Sequence, residues 1–135
     1  MTGELEGKTI LLVDDDRDIM TAMTAALEDM GPQVFTAMNG NAALTEAAEH
    51  NPDLVVLDMM LPGRSGFLVM EKLKRGKKRS DPPRVIMITG NQGARHKVYA
   101  ESLGVDVYLN KPFRMERLLD AIKKLLVSED SPADE

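Results

Sequence analysis

The chain has 135 residues, of which 43% are apolar and 29% charged, with a formal net charge of -5 and no cysteine. That balance suits one globular domain with a substantial core, and it excludes a disulfide framework, a cysteine metal site and a general affinity for nucleic acid. No apolar run reaches membrane-spanning length, and the polar start Met1 to Gly7 lacks the features of a secretory signal, so the default expectation is a cytoplasmic protein without membrane contact.

Residues 1–7 are polar and are expected to be a flexible N-terminus. Thr9 to Val13 is a continuous apolar run, closed by Asp14-Asp15-Asp16, and reads as a buried strand. A helix follows, with Ile19, Met20, Met23, Leu27 and Met30 at helical spacing and Gly31-Pro32 as its stop. Asp16 suits its N-cap. Gln33 to Ala37 is a weaker strand, and Asn39-Gly40-Asn41 turns the chain into a helix striped by Ala43, Leu44, Ala47 and Ala48. Leu54 to Leu57 is wholly apolar and runs straight into Asp58, followed by Met59-Met60-Leu61-Pro62-Gly63. Ser65 can cap a third helix through about Arg75, with Phe67, Met70 and Leu73 inward. Val85 to Ile88 is another apolar strand, ending in Thr89-Gly90. A weakly amphipathic helix covers about Ala94 to Leu103. Val105 to Leu109 is the last strand, and Pro112 is expected to begin the last helix. Ser128 to Glu135 reads as a disordered acidic tail, so the folded domain should span 8–127.

Five strand–helix pairs imply a parallel sheet with helices on both faces. The first, third and fourth strands are wholly apolar and should be central. The second and fifth carry polar residues and should be edges, which predicts the flavodoxin-like order 2-1-3-4-5 in a three-layer (βα)5 sandwich. Neither G-x-G-x-x-G nor a Walker A sequence is present, which argues against nucleotide-binding relatives of this architecture. In the expected order the first and third strands are neighbours, so Asp14, Asp15 and Asp58 converge at one edge of the sheet. Carboxylates that close raise one another's pKa unless a hard cation such as Mg²⁺ joins them. Thr89 adds a hydroxyl and Lys111 a positive charge, giving a pocket for a dianionic group beside a metal. Asp58 is central enough to act as a nucleophile.

Leu12-Val13-Asp14-Asp15-Asp16, Leu57-Asp58-Met59-Met60-Leu61-Pro62-Gly63, Ile88-Thr89-Gly90 and Tyr108-Leu109-Asn110-Lys111-Pro112-Phe113 occur in that order. In these motifs the chain resembles the response-regulator receiver domains of bacterial two-component signalling, in a single-domain, chemotaxis-regulator-like form. The resemblance covers about 8–127. It implies that Asp58 accepts a phosphoryl group, that Asp15 binds Mg²⁺ directly, and that Asp14 holds metal-bound water. Met60 would supply a backbone carbonyl to the metal. Thr89 would bind the phosphoryl group, Lys111 would pair with it, and Tyr108 would be the aromatic switch. It also makes Lys111–Pro112 a candidate cis peptide. Gly90 departs from the family, where Ala is more usual, and leaves more room beside the phosphoryl group.

The implied donor is a sensor histidine kinase or a histidine phosphotransfer protein, and the output passes to an unknown downstream protein, with no attached output domain and no direct contact with nucleic acid. On this reading the domain catalyses its own phosphorylation and dephosphorylation and is not an enzyme with an external substrate. The alternatives are a phosphorelay shuttle, a receiver fragment of a larger regulator, an aspartate-nucleophile phosphatase and a flavin module. Such phosphatases usually place a second Asp where Met60 stands, and the acidic first loop is a poor cradle for a flavin phosphate. The basic run Lys72 to Arg79 reads as a solvated helix end rather than a nucleic-acid patch. His50 and His96 read as surface residues, and Asp53 and Asp106 as structural.

Overall fold

The wholly apolar runs become the central strands because only a strand covered on both faces can bury every one of its side chains. The computed structural model describes residues 3–61, 65–90 and 94–127, with side chains from 97 onward in the last of these stretches. The tail 128–135, Pro62-Gly63 and the side chain of His96 lie outside the described residues. The elements in chain order are β1 (Thr9–Val13), α1 (Arg17–Glu28), β2 (Gln33–Ala37), α2 (Gly40–His50), β3 (Leu54–Asp58), α3 (Gly66–Lys74), β4 (Arg84–Thr89), α4 (Ala94–Ser102), β5 (Val107–Asn110) and α5 (Met115–Leu126). The strands form one parallel sheet in the order β2-β1-β3-β4-β5. This is the expected flavodoxin-like order, with the polar strands at the edges.

The period of two along each central strand divides the core into two layers. Ile10, Leu12, Val56, Ile86 and Ile88 pack with α1 and α5, where Met23, Leu27, Leu118 and Ile122 are buried. Leu11, Val13, Val55, Leu57 and Met87 face the other way, against Val69, Met70 and Leu73 of α3 and Ala100 of α4. Helix starts are capped by side chains. Asp16 accepts from the amides of Asp18 and Ile19, Asn39 from Ala42 and Ser65 from Leu68.

Carboxylates also fasten the edge of the sheet where its strands begin. Asp53 Oδ2 accepts the Thr9 amide at 2.8 Å. Asp106 Oδ2 accepts the Val85 amide at 2.8 Å, and its Oδ1 pairs with Arg84 Nε at 3.2 Å. Each acid thus ties the start of a neighbouring strand, which is the structural role expected for both. β5 begins at Val107 rather than Val105, because the Val105 amide donates to the Ala100 carbonyl at 3.2 Å in the turn that closes α4.

Three further differences from the sequence reading have physical causes. Residues 3–7 do not fray: the Leu5 side chain is fully buried among Met23, Leu27 and their neighbours, and its amide donates to the Met30 carbonyl at 2.8 Å. One leucine in a polar run is enough to anchor the segment once α1 offers it a site. The last helix starts at Met115 rather than Pro112, because residues 111–114 form the bend that carries Lys111 to the Asp58 edge; the Lys111–Pro112 peptide in that bend is cis. The basic run is not uniformly solvated either. Lys74 is buried, and its ammonium donates to the carbonyls of Arg79, Asp81 and Pro83, the first at 3.0 Å and the last at 3.1 Å. Burial pushes the Lys74 pKa below its ordinary value, while Asp106 and Asp81 pull it back up.

Lys74 therefore organises the α3–β4 loop from inside. Replacing Lys74 by Met keeps most of the stem but leaves those carbonyls without their donor, a loss of about 1–3 kcal/mol. Urea unfolding should show a lower midpoint with an unchanged slope. A midpoint equal to that of the wild type would mean that the staple contributes nothing.

Candidate functional site

Strand register brings the site together. Val13 of β1 pairs with Leu57 of β3, so Asp14 and Asp58 end adjacent strands at the same level. Asp58 pairs in turn with Ile88 of β4, which puts Thr89 one residue beyond, and Thr89 pairs with Asn110 of β5, one residue before Lys111. The Lys111 amide donates to the Thr89 carbonyl at 2.7 Å, fastening the bend to the end of β4.

The side chains use this level. Asp14, Asp58 and Thr89 are buried, whereas Asp15 is exposed. Asp14, Asp15 and Asp58 each offer a carboxylate oxygen within 4.8 Å of the others. Lys111 Nζ lies 3.3 Å from Asp58 Oδ2 and 3.4 Å from Asp14 Oδ2. Asp58 Oδ1 accepts the Met60 amide at 3.1 Å, and Asp14 Oδ1 accepts the Asp16 amide at 2.9 Å. The Met60 side chain is 67% exposed, so its place in the site is that of its backbone.

Among the described residues one ammonium faces two buried carboxylates, and the pKa values follow from that imbalance. Asp58 is raised from 3.8 to about 6. Desolvation is the largest cause; the Met60 amide opposes it, the Asp14 charge adds to it, and Lys111 opposes it again. For Lys111, burial works against the ammonium, but Asp58 and Asp14 outweigh it and raise its pKa. Asp14 Oδ2 is buried and has the ion pair with Lys111 but no hydrogen bond. A buried carboxylate oxygen left in that state, beside two more carboxylates, fits a hard divalent cation bound through oxygen. The donor set contains no sulfur or imidazole, which favours Mg²⁺ over softer metals.

Tyr108 sits behind this edge on β5. Its hydroxyl is buried against Thr89 without completing a hydrogen bond of ordinary geometry. Burial raises its pKa, and the Thr89 side chain works in the opposite direction. All seven residues singled out from the sequence (Asp14, Asp15, Asp58, Met60, Thr89, Tyr108 and Lys111) thus lie at or directly behind one edge of the sheet.

Gly66 was not among them. A Cβ there would lie 2.6 Å from Met59 Cα and 2.7 Å from the Asp58 carbonyl oxygen, so a side chain would displace the backbone that carries Asp58. The Gly66 amide donates to the Met59 carbonyl at 2.8 Å, closing the same loop. The signal was available: a glycine inside the first turn of a helix often marks a close backbone approach. Gly90 is the opposite case, since a Cβ there would meet nothing within 4 Å among the described residues.

A second cluster, Glu46, Glu49 and His50 on α2, also brings three ligand-type side chains within 4.8 Å. His50 is stacked on Phe35, with ring centroids 3.6 Å apart, and pairs with Glu46 at 3.3 Å, so its imidazole already has partners. No helix among the described residues is long and apolar enough to cross a membrane.

The sequence matches the family model of the response regulator receiver domain over residues 10–123. It is 38% identical over 120 residues to the phosphate regulon transcriptional regulatory protein PhoB of Pseudomonas aeruginosa, covering 89% of this chain and 52% of that protein. It is 36% identical over 121 residues to the DNA-binding dual master transcriptional regulator RpaA of Synechocystis, covering 90% of this chain and 50% of that protein. The chain thus spans about half the length of the curated relatives it matches. Among solved structures, it resembles a CheY-like response regulator receiver domain protein from Methanospirillum hungatei, with 31% identity, a TM-score of 0.79 and coverage of 91% of this chain and 96% of that one. The buried acid pair, the lysine beside it, the strand order and these matches lead to one conclusion: the chain belongs to the response regulator receiver domain family of two-component signal transduction.

Proposed function

We propose that Asp58 is the phosphoryl acceptor of this receiver, that it takes the group from a phosphohistidine, and that the modification changes which protein binds the α4–β5–α5 face. The observation that carries this reading is the contact of Lys111 with both Asp58 and Asp14 in a buried, acid-rich pocket. Receiver domains are phosphoacceptors that work with histidine kinases or phosphotransfer proteins and bind Mg²⁺ at an acidic pocket. Here Asp15, Asp58 and the Met60 carbonyl would hold that ion directly, with Asp14 holding its water. Bound there, Mg²⁺ would supply positive charge to the non-bridging oxygens of the phosphoryl group.

The chain's own residues do the rest. An Asp58 carboxylate oxygen attacks phosphorus, the P–N bond to the imidazole breaks as the P–O bond forms, and the imidazole leaves with the bonding pair. Lys111, already pointed at Asp58 Oδ2, offsets charge on the transferred oxygens. Thr89 presents its hydroxyl to one of those oxygens. Reset follows when water attacks phosphorus and the P–O bond to Asp58 breaks, restoring the carboxylate. The reaction belongs in the cytoplasm, where a kinase's phosphohistidine is presented.

The output half of the proposal rests on the pair Thr89 and Tyr108. The Tyr108 hydroxyl is buried against Thr89 without a regular hydrogen bond, a poorly satisfied arrangement that a small movement of Thr89 can rebalance. The helix that follows, α4, buries Ala100 but exposes Val98 and Tyr99 and offers little apolar grip, as a movable element must. A phosphoryl group shifts such an equilibrium only by bonding one arrangement better than the other, and Thr89 is the group that makes the difference. A shuttle that only passes the phosphoryl group to another histidine would not need Tyr108.

Two outcomes are expected. With acetyl phosphate and Mg²⁺, intact mass should rise by one phosphate; EDTA should abolish the gain, and Asp58→Asn should not show it. Modification of Asp58→Asn at the wild-type level would remove Asp58 from its role. Second, Thr89→Ala and Tyr108→Ala should still become phosphorylated but should lose most of the phosphorylation-dependent binding to the output partner, by about tenfold or more. A Tyr108→Ala protein with full output and rapid back-transfer to a histidine protein would favour the shuttle instead.

A further inference from the structure

The pole opposite Asp58 carries a feature the phosphoacceptor chemistry does not use. Between the C-terminal ends of α2 and α3 lies a cavity of about 440 Å³. That is within the range of small-molecule sites, roughly 300–1,000 Å³. Its apolar lining comes from Leu44 and Ala47 of α2, Leu73 of α3 and Pro82-Pro83 of the α3–β4 loop. Lys72 and Lys77 border the same space and are both exposed. Asp53 is the one carboxylate in the lining, and its Oδ2 is already bonded to the Thr9 amide.

The walls are held in place before any ligand arrives. The buried Lys74 ammonium grips the carbonyls of Arg79, Asp81 and Pro83, which fixes the loop that supplies Pro82 and Pro83. Lys77 Nζ rests on the Pro82 carbonyl at 3.3 Å, a surface contact it can leave at little cost. Asn51 closes α2 in the left-handed conformation, with φ of 46°, and its amide donates to the Ala47 carbonyl, so the third side is set by helix termination. The charge distribution is equally directed. On a chain of net charge -5, Lys72, Lys74, Arg75, Lys77, Lys78 and Arg79 fall within one short stretch, and two of them border the cavity.

We infer that this cavity is a second ligand site, for a small amphiphilic anion: an apolar body of about two rings against Leu44, Leu73 and Pro83, and one sulfonate-, carboxylate- or phosphate-type group between Lys72 and Lys77. The lining is mixed: its apolar side chains favour a hydrophobic body and its two lysines an anion, so a ligand that carries both properties fits it best. Two ammonium groups against one engaged carboxylate leave the pocket net positive, which makes the anionic end the orienting one. The site lies at the start of the strands and Asp58 at their ends, so both can be occupied at once.

Three probes separate the contributions in the full chain: 8-anilinonaphthalene-1-sulfonate, its uncharged analogue N-phenyl-1-naphthylamine, and sulfate. Amide chemical shifts should move at residues 44–53 and 72–83 with the sulfonate dye, which should bind several-fold more tightly than either other probe. Lys72→Gln/Lys77→Gln should weaken the dye by about tenfold and leave N-phenyl-1-naphthylamine unchanged. Mg²⁺-dependent phosphorylation of that variant at the wild-type level shows that it is folded, and Lys72→Gln alone, on a solvated side chain, gives a second reading. Shifts confined to other surfaces, dye affinity unchanged in both variants, or equal affinity for the charged and uncharged dyes would each overturn the inference.

Discussion

Everything at the functional edge depends on one imbalance: Asp14 and Asp58 are both buried there, and among the described residues the Lys111 ammonium is the cation in contact with them. Two desolvated carboxylates and one ammonium leave excess negative charge in a region of low polarity, and the exposed Asp15 adds to it. The protein tolerates this because the strands that present the acids are buried and closely registered, so the acids cannot move apart. That constraint holds the Asp58 carboxyl above the ordinary range and makes its ionisation sensitive to positive charge placed beside it.

The two poles of the sheet treat charge in opposite ways. Where the strands begin, acids and bases are matched to partners: Asp53 to the Thr9 amide, Asp106 to Arg84 and the Val85 amide, Lys74 to three loop carbonyls. Where they end, among the described residues, Asp14 Oδ2 is buried without a hydrogen-bond partner, and the Tyr108 hydroxyl meets the Thr89 side chain without a hydrogen bond of ordinary geometry. Satisfied polar groups make the first pole rigid, and under-satisfied ones leave the second responsive to whatever binds there. Gly66 sits at the join, where its missing side chain lets α3 start directly on the backbone of Asp58 and Met59. The start of α3 is therefore packed directly on the loop that carries Asp58.

Most of the fold was legible because burial on both faces leaves a simple mark. The runs ending at Val13, Leu57 and Ile88 have no polar interruption, and their centrality fixes the order of the strands. The acids were legible for the same reason, since a carboxylate directly after such a run must sit at a sheet edge. What stayed hidden depended on contacts between distant segments. Leu5 is a single apolar residue with no periodic neighbours, and only the groove beside α1 reveals its burial. Lys74 looks like its exposed basic neighbours until the loop closes over it. Pro112 suits a helix start, yet the chain uses the bend at that point to deliver Lys111, and α5 begins three residues later.

The central claim is that burial and the neighbouring Asp14 hold the Asp58 carboxyl high, and that a cation in the same pocket releases it. Carbon-13 NMR of the side-chain carboxyls, titrated with pH, reads this directly. Without metal, Asp58 should titrate near pH 6; because the folded pKa lies above the ordinary 3.8, ionisation should cost the fold stability as pH rises between those values and nothing more beyond them. With millimolar Mg²⁺ the same resonance should titrate clearly lower, by roughly one unit or more, and Asp15→Ala should lose most of that displacement. An Asp58 carboxyl that titrates near 4 without metal, or that ignores Mg²⁺, would contradict the account.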